Sequence, residues 1–236
     1  MSQTILNRSV GELVAECPAR SQVFEELQID YCCHGGISLQ EACQQQDLDP
    51  GEVLVRLAPQ EVLASDVRDW LTAPLCELCD HIERTHHAYL RTELPRLALL
   101  IAKVAEVHGD RHAELHDVKR IFHGLQDELM PHMMKEEHIL FPAIRRLELA
   151  SHPLNLPFGT VQNPIRMMER EHDAVGNLLR HLRSLTNDFT APEGACNTYR
   201  AMLDGLRELE LDLHEHIHKE NNILFPRAAK LEASRG

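Results

Sequence analysis

Aromatic side chains are scarce in this chain, at 4% of 236 residues with a single tryptophan, and glycines number only 11. Leu, Glu, Ala, Arg and His dominate instead, a profile that favours helices over sheet. No run approaches the roughly 20 apolar residues that a membrane-spanning helix needs. The stretch from Met1 to Arg8 lacks the apolar core of a signal peptide. Dense Lys/Arg runs are also missing and the net charge is −13, so nucleic acid and anionic membranes are poor candidate partners. Seven cysteines, an odd number with two adjacent, do not form a secreted disulfide framework. A reducing cytoplasm is the expected setting.

What the chain has in excess is histidine. Fifteen of its sixteen lie between His81 and His218, leaving only His34 outside. With 43% hydrophobic residues, a chain of this length can bury a sizeable core as one large domain, or as one with a small appendage. A negatively charged, His-rich helical segment is what a cationic metal centre requires.

One stretch occurs twice. His132-Met133-Met134-Lys135-Glu136-Glu137-His138-Ile139-Leu140-Phe141-Pro142 and His216-Ile217-His218-Lys219-Glu220-Asn221-Asn222-Ile223-Leu224-Phe225-Pro226 match at seven of eleven positions, 84 residues apart. Helical spacing puts His132 and Glu136 one turn apart on one face, and likewise His216 and Glu220. Each copy closes on a proline, a common helix terminator.

Residues 1–58 read as a small domain of short helices. Ser9 caps a helix through Cys17, Pro18 opens another through Leu27, Ser38 caps a third through Gln46, and Asp49-Pro50-Gly51-Glu52 starts a fourth reaching Leu57. The paired glycines of Asp30-Tyr31-Cys32-Cys33-His34-Gly35-Gly36 allow a sharp turn that presents the vicinal cysteines on a loop. Residues 59–74 read as a linker. From 75 to 236 the pattern becomes long and amphipathic, with helices expected over about 75–107, 112–146, 164–187 and 196–230. The expected fold class is therefore all-α, an antiparallel four-helix bundle preceded by the small helical domain. His108 falls near the end of the first apolar stripe. The second aligns Leu125, Leu129, His132, Glu136 and Ile139, with Pro131 inside it as an expected kink. The third carries His172, and the fourth His216, Glu220 and Ile223.

A histidine at the centre of an apolar stripe costs several kcal/mol in desolvation unless its nitrogens are satisfied. Here His108, His132, His172 and His216 all fall on stripes, two with a carboxylate one turn on. On the first helix His86 and His87 are adjacent. Periodicity through Ile82 and Leu90 favours His86, while Pro95 makes the helical phase unreliable, and the residues leave both open. Five imidazoles and two carboxylates are too many for one tetrahedral zinc. They suit two metals joined by bridging Glu136 and Glu220, with iron favoured over manganese. Glu128 and Glu171 lie close to ligand positions and could line a channel or orient imidazoles. Cys32 and Cys33 could form a vicinal disulfide, exchange iron or nitrosyl groups, or pack. Cys76 and Cys79 read as ordinary packing.

Over nearly its whole length the chain resembles the RIC (repair of iron centres) family, hemerythrin-like di-iron proteins with an N-terminal ScdA-type cysteine-pair domain. The resemblance is carried by Asp30-Tyr31-Cys32-Cys33-His34-Gly35-Gly36, His132-Met133-Met134-Lys135-Glu136-Glu137, Glu171-His172-Asp173 and His218-Lys219-Glu220-Asn221-Asn222. The family's spacing between its first two histidines fits His87 to His108, which assigns His87. The resemblance implies a non-haem, carboxylate-bridged pair of iron ions held by His87, His108, His132, Glu136, His172, His216 and Glu220. It also implies work under nitric oxide or oxidative stress, with damaged iron–sulfur proteins as clients and Cys32 and Cys33 contacting the client or delivering electrons. Alternatives with the same metals are capture or reduction of nitric oxide, and oxygen carriage or sensing. Whether the chain is an enzyme, or pairs as a homodimer, these residues leave open.

Overall fold

The computed structural model describes residues 2–58 and 68–235, and no strand occurs among them. Most of the linker expected at 59–74 lies outside the described residues. In chain order the α-helices are α1 (Ser2–Leu6), α2 (Val10–Glu16), α3 (Arg20–Glu26), α4 (Leu39–Gln45), α5 (Pro50–Leu57), α6 (Leu75–Ile82), α7 (Ala88–His108), α8 (Glu114–Lys135), α9 (Phe141–Leu149), α10 (Gln162–Leu185), α11 (Asn197–His218) and α12 (Phe225–Ala233). Three π-helical turns interrupt the long ones: π1 (Glu83–His87), π2 (Glu136–Leu140) and π3 (Lys219–Leu224).

The chain divides into two compact units. One comprises Met1–Cys79, Ile144–Asn155 and His214–Gly236; the other comprises Asp80–Ala143 and Leu156–Leu213. In the first, the short helices begin where side-chain oxygens can take up orphan N–H groups. Ser9 Oγ accepts from the Glu12 N–H, Ser38 and Glu41 form a reciprocal capping box, and Asp49 Oδ1 accepts from the Glu52 N–H ahead of Pro50. Their inner faces bury Val10, Leu13, Phe24, Leu39 and Val53. α3 starts at Arg20, two residues later than expected, and α1 carried no cap signal that would have announced it. Asn222, on π3, enters a slot beside α2. A Cβ at Gly11 or Gly35 would stand 2.4 or 2.5 Å from Asn222 Oδ1, so glycine at both positions leaves the space that the Asn222 side chain fills.

The second unit is built from long helices whose apolar stripes meet. Leu90, Leu94, Leu97, Ile101 and Val104 of α7, Leu115, Val118, Phe122, Leu125 and Leu129 of α8, and Ile165, Met168, Val175, Leu179 and Leu182 of α10 are buried. α7 packs on α8 across a five-residue connection, residues 109–113, so the two run antiparallel. α8 packs on α10 in turn. α8 remains one helix through Pro131.

The repeated prolines do not end their helices. Phe141 N–H bonds Glu136 O and Phe225 N–H bonds Glu220 O, each reaching back five residues. Pro142 and Pro226 then stand second in α9 and α12, where the register has just changed and a missing N–H is tolerated. The extra residue in the turn also rotates the stripe. Ile139, expected to face inward, is 48% exposed, and Leu140 at 1% takes the inward place.

Candidate metal centre

The three π turns carry His87, Glu136 and Glu220, while His132 and His216 close the α-helical turns just before π2 and π3 and His172 projects from the middle of α10. All six side chains are buried, with Glu136 and Glu220 at zero exposure. Glu136 Oε2 lies 3.3 Å from His87 Nε2 and 3.4 Å from His132 Nε2. His132 Nε2 and His172 Nε2 are 3.1 Å apart, and His216 Nε2 is 2.9 Å from Glu220 Oε1. Ligand atoms of His87, Glu136, His216 and Glu220 all fall within 4.8 Å of one another, and so do those of His132, Glu136, His172 and Glu220. Each histidine belongs to one group and both carboxylates belong to both. Two cations, each with two imidazoles and joined by two bridging carboxylates, are what such sharing accommodates.

The donor set fits iron. Imidazole nitrogen and carboxylate oxygen without thiolate suit borderline to hard transition ions rather than copper(I) or a structural zinc. Two carboxylates this close and this buried repel each other, and multivalent cations between them reverse the sign of that interaction.

Behind the histidines stands a layer of acids. His87 Nδ1 is 2.6 Å from Glu137 Oε1, and Arg91 donates to both oxygens of Glu137. His132 Nδ1 is 2.8 Å from Glu171 Oε2, and Lys135 pairs with the other oxygen. Engaging Nδ1 in this way fixes each ring with its Nε2 turned towards Glu136. Burial works against ionisation of Glu171, but the bond with His132 and the Lys135 ammonium outweigh it and bring its pKa down to about 2. Glu137 is likewise held low: burial opposes, and Arg91 and His87 prevail.

Of the residues singled out in the sequence, six are brought together in these groups, and Glu171 stands directly behind one of them. His86 is buried beside His87, yet its Nδ1 lies 2.8 Å from Asp212 Oδ1 and it joins neither group. His108 is not brought in either. It ends α7, some 30 Å along the axis from His87 at 1.5 Å per residue. Its Nε2 lies 3.2 Å from Cys196 Sγ. Glu128 is exposed on α8. Glu137 and Asp212 were missed; the one signal in the sequence was that Glu137 directly follows a candidate ligand position.

Cys32 and Cys33 sit on the loop after α3, and none of the seven cysteines, all among the described residues, is disulfide-bonded. Asp30 Oδ1 accepts the N–H groups of Cys32, Cys33 and His34, which folds the loop around one carboxylate oxygen. Asn222 Nδ2 donates to the carbonyls of Tyr31 and Cys32, both at 3.1 Å, and Asn221 Nδ2 donates to Cys32 O at 3.2 Å. The loop is thus held by the two residues that directly follow Glu220. Hydrogen bonding to Cys33, burial and the Asp30 carboxylate all push the Cys32 thiol upward.

Residues 80–228 match the hemerythrin HHE cation binding domain, and residues 6–61 match ScdA_N, a domain of unknown function. Among curated proteins, the chain is 40% identical over 226 residues to the iron-sulfur cluster repair protein YtfE of Pectobacterium atrosepticum, covering 96% of this chain and 98% of that one. The YtfE proteins of Edwardsiella ictaluri and Escherichia coli O81 are each 40% identical over 225 residues, covering 95% and 94% of this chain and 98% and 96% of theirs.

Proposed function

The chain belongs to the hemerythrin HHE cation-binding family, and from that premise we propose that it holds two iron ions in service of rebuilding damaged iron–sulfur clusters. The observation that carries this reading is the pair of four-donor groups sharing Glu136 and Glu220. His87 and His216 would serve one ion, His132 and His172 the other, with both carboxylates between them. When bound, such a pair would supply iron held by nitrogen and oxygen donors only. The chain's own part is to keep the donors dry and aimed, through Glu137 behind His87 and Glu171 behind His132.

Clients would be proteins whose clusters nitric oxide or oxidants have damaged, met in the cytoplasm. No described helix is long and apolar enough to cross a membrane. The cysteine loop supports delivery over simple carriage of a gas, because a carrier has no use for a thiol pair tied to the residues after a bridging ligand.

The test is anaerobic mixing of the reduced, iron-loaded protein with a cluster-depleted apo-enzyme and, in parallel, with nitric oxide. Reactivation of the apo-enzyme with loss of iron from this protein is the expected result. Turnover of nitric oxide to nitrous oxide without any reactivation would replace delivery with nitric oxide reduction.

A further inference from the structure

The cysteine loop carries a donor set of its own, distinct from the six bundle ligands. Cys32 Sγ and Cys33 Sγ are 3.8 Å apart, and Asp30 Oδ1 lies 3.4 Å from Cys32 Sγ. One ligand atom from each of Asp30, Cys32 and Cys33 falls within 4.8 Å of the others. Reference geometry decides what that spacing suits. A disulfide needs sulfurs about 2.05 Å apart, so the present pair would have to close by nearly half. Two thiolates at about 2.3 Å from one tetrahedral cation stand about 3.8 Å from each other, and about 3.5 Å from a carboxylate oxygen on the same ion. The loop has the second set of distances, not the first.

We propose that Cys32, Cys33 and Asp30 form a third cation site, for one borderline-soft divalent ion. The site is built before any ion arrives. Three backbone N–H groups fix Asp30 Oδ1, His34 Nδ1 holds Asp30 Oδ2 at 2.7 Å, and Asn221 and Asn222 hold the loop carbonyls. Such preorganisation lowers the ordering cost of binding. Binding takes one proton from each thiol, so two thiolates and one carboxylate meet a dipositive ion and the site's net charge becomes −1. Mixed sulfur and oxygen donors select ferrous iron or zinc over magnesium or calcium. That the ion is iron passing to a client rests on the function proposed above; that a cation binds here does not.

The probe is cobalt(II), titrated into the full-length, iron-loaded protein under anaerobic, reducing conditions. Only thiolate ligands give a sulfur-to-cobalt charge-transfer band in the near ultraviolet, so cobalt exchanged into the bundle stays silent in that window. The expected result is a band saturating at one equivalent, with two protons released per ion. Cys33→Ser should abolish the band. Asp30→Asn, whose remaining oxygen can still accept the backbone N–H groups, should weaken binding at least tenfold while leaving bundle iron unchanged. No thiolate band with both thiols shown to be reduced would overturn the site, and so would unchanged affinity in Asp30→Asn. Loss of cluster repair with the band intact would count against the function above and leave the site standing.

Discussion

Replacing Glu220 by glutamine separates the two roles of a bridging carboxylate, because it removes a charge and keeps the shape. In the metal-free protein, Glu136 and Glu220 are both fully buried, with ligand atoms within 4.8 Å. At an effective dielectric of about 20, two unit charges at that separation would repel by about 3.5 kcal/mol, a ceiling that the pair undercuts to the extent that it keeps a proton. The amide oxygen introduced by Glu220→Gln can still accept from His216, whose Nε2 is 2.9 Å from Glu220 Oε1, so little else is lost. Metal-free Glu220→Gln should therefore be more stable than metal-free wild type, with a midpoint raised by at most roughly 7–14 °C for a chain of this size. The iron-loaded comparison should run the other way, since the variant loses a ligand from both groups at once. Thermal unfolding at about pH 8, where free imidazoles are neutral, together with iron counted per chain, reads both states. A metal-free variant less stable than wild type, or a variant that keeps its full iron, would refute the bridging arrangement.

Other outcomes follow from the same geometry. His87→Ala and His172→Ala each remove a donor from only one group, so each should lose about half the iron that Glu220→Gln loses, measured as metal per chain. Asn222→Ala deletes two donated bonds to buried loop carbonyls and should cost about 2 kcal/mol locally, seen as faster amide exchange over residues 31–36 with iron content unchanged. Glu148 caps α6 by accepting from the N–H groups of Leu75 and Cys76 at 2.6 and 2.8 Å, so Glu148→Gln should cost about 1 kcal/mol. Burial opposes ionisation of Glu148, but those N–H groups and Arg227 hold its pKa below the ordinary 4.5. Its contribution is therefore complete above about pH 4.5 and fades below it, and the gap between wild type and variant in urea unfolding should narrow as pH falls through that range.

The repeated H-x-x-K-E-x-x-I-L-F-P string was enough to find four of the six clustered side chains, or their positions one turn apart, and the stripes of α8, α10 and α11 supplied the surrounding walls. The π turns were not legible. A single extra residue shifts the phase over one turn only, and the shift shows where Ile139 turns out to solvent and Leu140 turns in. The same kind of shift, in π1, is why periodicity favoured His86 over His87: both are buried, and their difference lies in which acid each faces. His108 shares a helix and a stripe with the centre, but a stripe records which side a residue faces and not how far along the axis it lies. Of the short N-terminal helices, α2, α4 and α5 were read almost to the residue because serine and aspartate caps are local signals that need no tertiary partner, while α1 and α3, which lack such caps, were missed or misplaced at the start.

The two copies of the repeat differ at the positions just after the shared glutamate, and those differences divide the labour of the molecule. In the first copy, Glu137 follows Glu136 and engages His87 from behind, with Arg91 closing the far side. In the second, Asn221 and Asn222 follow Glu220 and reach the carbonyls of Tyr31 and Cys32 instead. A carboxylate at the second position could not donate to a carbonyl, and an amide at the first would give the imidazole a weaker, uncharged partner than the acid does. The π geometry matters to both, because it closes with a bond to the glutamate's own carbonyl, from Phe141 to Glu136 and from Phe225 to Glu220. Whatever moves Glu220 within π3 therefore bears directly on the two amides that hold the cysteine loop, and this gives Glu220 a physical connection to the thiols that the first copy does not have.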